Sequence, residues 1–162
     1  MEEFLRGAEL FQGLNDDELE RLAELGRRQS LRAGEYLFLL GDTADRLYVV
    51  AKGQVDLCFP ISLHGATKDI SLETVAEGET VGWSALVKPY LFTLSARVNE
   101  PGEVVAFTRH ELLQFFGDEP GIGYAFLTKI SELVGIRLMK VQALWARELQ
   151  RTLTVGAEHR AH

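Results

Sequence analysis

Few side chains in this sequence are placed to do covalent or metal chemistry. The four histidines are His64, His110, His159 and His162: one in a predicted loop, one opening a predicted helix and two in the last four residues. A metal centre needs His and carboxylate ligands gathered on neighbouring elements, and these positions supply no such set. Cys58 is the only cysteine, which excludes an internal disulfide. It sits in the mostly apolar run Val55–Phe59 and reads as a small core residue rather than a nucleophile. There is no glycine-rich phosphate loop, nucleophile elbow or Cys/His pairing. The expectation is a chain that binds rather than catalyses.

Composition narrows the class. The 162 residues suit one compact domain with a substantial core. Hydrophobic residues at 46% and charged residues at 25% are ordinary for a soluble globular protein. No stretch reaches the length of a membrane span, and the acidic start Met1-Glu2-Glu3 is unlike a secretory signal, so a cytoplasmic protein without membrane attachment is expected. A net charge of −7 opposes nonspecific nucleic-acid binding, which draws its strength from Lys and Arg on phosphates.

The elements follow from periodicity. Asn15-Asp16-Asp17-Glu18 is a capping box ahead of Leu19, Leu22 and Leu25, predicting a helix over Asp16–Leu25 within an N-terminal helical segment, residues 1–28. Short β-rich runs follow through residues 29–108: Tyr36–Leu40, Arg46–Ala51, Gln54–Phe59, Asp69–Ala76, Phe92–Val98 and Glu103–Phe107. Glycines at 34, 41, 53, 78 and 82 punctuate them. Many short strands at close spacing favour a barrel or sandwich. Helical spacing returns over 109–153, as a short helix Arg109–Phe116 stopped by Gly117 and a long one from Ile122 to Leu153. A frayed polar tail, 154–162, ends the chain.

Helix, barrel, short helix and long helix, in this order, resemble the cyclic-nucleotide-binding domain of the catabolite-activator and protein-kinase-regulatory families. The matching pieces are Gly34-Glu35-Tyr36-Leu37-Phe38, Gly41-Asp42, Leu47-Tyr48-Val49-Val50, Gly53-Gln54-Val55 and Gly78-Glu79-Thr80-Val81-Gly82, and the similarity runs from about Phe11 to Leu138. The resemblance implies a mainly β fold, a jelly-roll-like β-roll flanked by an N-terminal helix and a long C-terminal helix. It also implies a regulatory domain whose ligand is a cyclic nucleotide or another small anion.

In that family a loop and a one-turn helix after the last glycine hold the cyclic phosphate, with an arginine on the anion and a glutamate on the ribose. Here the glutamate position is Trp83 and the arginine position falls on Phe92, and no arginine occurs between Trp83 and Ala96. A hydrogen bond to a charged group contributes roughly 1.5–3 kcal/mol. Burying a phosphodiester without its cation costs several more. Together these losses weaken binding by about three orders of magnitude. Ordinary cyclic AMP or cyclic GMP is therefore not the expected ligand. The candidate pocket comprises Gly82, Trp83, Ser84, Ala85, Phe92, Thr93 and Ser95, with the amides of Trp83–Val87 as possible anion donors and Lys88 and Arg97 as possible cations. The alternative makes Lys88 and Arg97 solvated surface charges. Trp83 either walls a different, more apolar ligand or fills the cavity, and Tyr90 and Phe92 face the same choice.

Two functions of different kinds remain. One is a ligand sensor whose occupancy moves the long helix; the other is a protein-interaction module with an aromatic-filled pocket. A DNA-binding regulator of the catabolite-activator type needs on the order of 70 further residues for its helix-turn-helix, so no direct DNA binding is expected from these residues. Leu138, Val141, Trp145 and Leu149 lie beyond the barrel-covering part of the last helix and form the expected seam of a homodimer, alongside an unidentified protein partner.

Overall fold

The computed structural model describes residues 1–158, excluding the side chains of Leu63 and of residues 155–158. The chain forms two compact units, Met1–Phe126 and the helical remainder from Leu127.

The first unit opens with helix α1 (Glu2–Gly7), a single 3-10 turn (Glu9–Phe11) and helix α2 (Asp16–Ala23). The capping box at α2 is complete: Glu18 N donates to Asn15 Oδ1 at 3.0 Å and Asn15 N to Glu18 Oε2 at 2.9 Å. The amides of the N-cap Asn15 and of Glu18, the third helical residue, are both satisfied inside the sequence motif itself.

Six antiparallel strands follow: β1 (Arg27–Leu31), β2 (Tyr36–Phe38), β3 (Arg46–Leu63), β4 (Ala66–Val75), β5 (Thr80–Val81) and β6 (Ser95–Thr108). Their order is β1-β6-β3-β4, with β2 also on β6 and β5 also on β3. The runs Arg46–Ala51 and Gln54–Phe59 join into one strand across Gly53, and Glu103–Phe107 joins the preceding run through Pro101-Gly102. The two bends pack main chain on main chain. A Cβ on Gly102 would lie 2.0 Å from the Lys52 carbonyl oxygen, and one on Gly53, at φ +86°, would lie 2.6 Å from that of Glu100. A glycine read as a strand end is here a bend within a continuing strand. Strand β1 lacks apolar alternation in Arg27-Arg28-Gln29-Ser30 and forms through pairing with Arg27↔Ala106 to Leu31↔Gly102.

Strands β3 and β6 separate two apolar layers. Tyr48, Val50, Val55, Leu57, Ala96, Val98, Val104 and Ala106 face the roll interior with Phe38, Val81 and Phe92. The alternate residues Leu47, Val49, Val105 and Phe107 are equally buried on the other face. There Phe107 meets Phe11, and Phe11 meets Phe126, each at 5.6 Å between ring centroids. Burial on both faces explains why Leu47–Val50 is a continuous apolar run.

Helix α3 spans Arg109–Asp118, capped by Thr108, whose hydroxyl accepts from Glu111 N. It passes through Gly117 instead of stopping there, because Glu119 is the residue that leaves helical geometry. Helix α4 runs Pro120–Glu158. Its backbone therefore stays helical past Leu153, where a frayed tail was expected. Residues 159–162, including His159 and His162, lie outside the described residues.

Candidate functional site

The segment after β5 is built on Gly82. Its φ of +82° and the 2.9 Å from a would-be Cβ to the Arg46 carbonyl oxygen both require glycine. A 3-10 turn, Trp83–Ala85, follows. The amides of Ala85, Leu86 and Val87 donate to the carbonyls of Gly82, Trp83 and Ser84 at 3.0, 2.9 and 3.3 Å. Three of the five amides expected to be free for an anion are thus spent inside the turn.

The next loop turns at Tyr90, which adopts φ +61°. The Tyr90 carbonyl accepts from Ala44 N at 2.7 Å. Its ring lies beneath the Arg109 guanidinium, 4.4 Å from centroid to Cζ, while Arg109 Nη1 donates to the Ala44 carbonyl at 2.8 Å. Arg109, the first residue of α3, so ties this loop to the β2–β3 turn, a role its place in the sequence did not signal.

Phe92 was expected in a strand beginning at its own position. The strand begins at Ser95, and Phe92 lies in the loop before it. Its amide donates to the Asp42 carbonyl at 2.9 Å and its carbonyl accepts from Gly41 N at 2.8 Å. These bonds turn the ring into the roll, where it stacks on Phe38 at 3.7 Å and 8°. Phe38 in turn stacks on Tyr48 at 6.0 Å and 27°. Phe92 is 4% exposed. Trp83 remains only partly buried and is no part of this cluster. The interior aromatic is thus Phe92, not Trp83.

The polar candidates are dispersed. Ser84 is buried in the turn. The Ser95 hydroxyl accepts from Leu40 N at 3.0 Å. Thr93 is exposed in the loop, and Lys88 is exposed before the cis Lys88–Pro89 bond. Ala96 and Val98 line the interior, so Arg97 is turned to the outer face of β6, opposite Tyr36 and Asp56. The only two cations near the segment in sequence, Lys88 and Arg97, therefore do not converge on the interior with Gly82 and Phe92. Burial raises the Tyr48 phenol above its ordinary pKa, against a lowering effect of Arg46, and burial likewise raises the Cys58 thiol. Cys58, fully buried, is a core residue as expected. Among the described residues no group of His, Cys, Asp and Glu is placed to hold a metal ion.

The family described as "Cyclic nucleotide-binding domain" matches residues 28–119. The chain belongs to the cyclic nucleotide-binding domain family. It is similar to the cGMP-dependent protein kinase egl-4 of Caenorhabditis elegans, at 26% identity over 116 residues covering 71% of this chain and 15% of the kinase. Among solved structures it resembles the N-terminal domain of a transcriptional regulator from Streptomyces coelicolor, with TM-score 0.68 and 26% identity, covering 83% of this chain and 94% of that one. A cyclic nucleotide-binding domain from Methylobacillus flagellatus shares the fold at TM-score 0.76 and 18% identity, covering 90% and 80%. The fold expected from the sequence, a β-roll with N-terminal helices and a long C-terminal helix, is that of this family.

Proposed function

We propose that this cyclic nucleotide-binding-type domain is a cytoplasmic regulatory module whose interior is closed to ordinary cyclic AMP and cyclic GMP, and that it works through protein contacts of its last helix. The observation that carries this reading is the Phe92 ring, stacked at 3.7 Å on Phe38 and 4% exposed. A phenyl group stands in the loop that carries the phosphate arginine in the family, and it supplies core area instead of charge. The internal bonding of the Ala85, Leu86 and Val87 amides supports the same reading.

The last helix supports the outward half. Leu138, Val141, Trp145 and Leu149 are 55%, 55%, 66% and 43% exposed. At 100° per residue they form one stripe, with Lys140, Arg147 and Arg151 on the opposite side. A stripe backed by charge suits a helix pair, so the partner proposed for it is a second copy of the chain. No described helix is long and apolar enough to cross a membrane.

Thermal unfolding with cyclic AMP and cyclic GMP tests the closed interior. A ligand at a hundred times its dissociation constant stabilises a fold by about 2.7 kcal/mol. The expected result is no shift of the midpoint with either nucleotide. A saturable shift would instead make the domain a nucleotide sensor.

A further inference from the structure

A cleft of about 700 Å³ opens on the first unit, away from the segment around Gly82. It is lined from α1, β1, β3, the β4–β5 turn and the bend of β6. Its volume falls within the range of roughly 300–1,000 Å³ usual for small-molecule sites. The floor is stiff, because the bends at Gly53 and Gly102 leave no room for even a Cβ between the two main chains. Phe4 and Pro101 give apolar surface, while Leu31 behind them is packed into the core at 4% exposure.

The charges on the cleft are balanced but not all paired. Arg28 is bridged to Glu103. Lys52, which pairs with Glu103 in the β3–β6 ladder, and Glu77 line the same cleft, yet neither side chain has an ion-pair or hydrogen-bond partner among the described residues, and they do not bridge to each other. A purely anionic ligand would meet the Glu77 carboxylate as well as Lys52. A purely cationic one would meet Lys52 as well as Glu77. A ligand that carries both charges, separated, satisfies both groups and leaves the Arg28–Glu103 bridge intact.

We infer that this cleft is a binding site for a small zwitterion with an apolar body, the chemistry of a hydrophobic α-amino acid. Its carboxylate lies on Lys52, its ammonium on Glu77 and its side chain against Phe4 and Pro101. Occupancy would tie α1 to the roll, since Phe4 comes from the helix and the other walls come from strands and turns.

The test is a two-dimensional amide NMR titration of the full chain with L-phenylalanine, N-acetyl-L-phenylalanine and L-phenylalaninamide. Saturable shifts are expected at the amides of Arg28, Lys52, Glu77 and Gly102 with the free amino acid at millimolar concentration. Each blocked analogue should bind about tenfold more weakly, the loss of one charged hydrogen bond. Lys52→Gln and Glu77→Gln should weaken L-phenylalanine similarly, and Glu77→Gln should not further weaken the N-acetyl compound. Both side chains are exposed, so both variants should unfold at the wild-type temperature. Absence of saturable shifts, or affinities indifferent to the blocking groups and to both substitutions, would overturn the assignment. Neither result bears on whether cyclic nucleotides enter the roll.

Discussion

At the scale of single residues, the decisive feature is an aromatic ring, Phe92, in a segment that carries no arginine. Phe92 is held at both its amide and its carbonyl by the Gly41–Asp42 turn, and its ring completes a stack with Phe38 and Tyr48. Truncating a buried phenyl group removes its transfer free energy and leaves a cavity, which costs about 3–5 kcal/mol. Phe92→Ala should lower stability by that amount in urea unfolding, whereas Trp83→Ala, at a partly exposed ring, should cost clearly less. Equal losses would mean that Trp83 shares the interior. The absence of arginine from 83–96 was legible in the sequence. Which aromatic turns inward was not, because it depends on hydrogen bonds from a turn some fifty residues away in the chain.

At the scale of elements, helix starts were more faithful than helix ends: α2 stops at Ala23 rather than Leu25, and α3 and α4 run past Phe116 and Leu153. The Asn15–Glu18 capping box is a local motif and folds as one. Strand limits were less faithful where glycine stood for a bend, as at Gly53, where pairing of β3 with β6 resumes after a register shift. The last helix carries its own prediction. Trp145 is 66% exposed on the proposed seam, so Trp145→Glu places a charge within an apolar contact that a dimer would bury. Light scattering on a size-exclusion column should give a dimer for the wild type and a monomer for the variant. A monomeric wild type would remove the seam from the account, while leaving the closed interior untouched.

At the scale of the whole molecule, burial on both faces of β3 and β6 sets how stability responds to alkali. The Tyr48 phenol is raised above its ordinary pKa near 10, chiefly by desolvation. Below that pH both folded and unfolded chains keep the proton, and the full stability is present. As pH rises past it, the unfolded chain ionises first, binds fewer protons than the folded one, and stability falls. Cys58, raised for the same reason, adds a loss of the same sign from about the ordinary thiol range near 8.5 upward. Urea midpoints should therefore hold at neutral pH and decline from about pH 8.5 upward. Tyr48→Phe, which has no proton to lose, should decline less steeply above the phenol range.

The sequence by itself determined the succession of an N-terminal helical segment, a β-rich middle and C-terminal helices, the capped start of α2, the turn glycine at position 82 and the lack of any arginine in the segment that follows. These are properties of residue type and near-neighbour spacing. The tertiary structure alone decided that Arg97 faces outward, that Arg109 clamps Tyr90, that Phe92 rather than Trp83 enters the roll, and that Lys52 and Glu77 line one cleft. Alternation along a strand separates its two faces but does not say which face another strand, turn or helix will cover. That is settled only when distant segments pair and exclude water from one side.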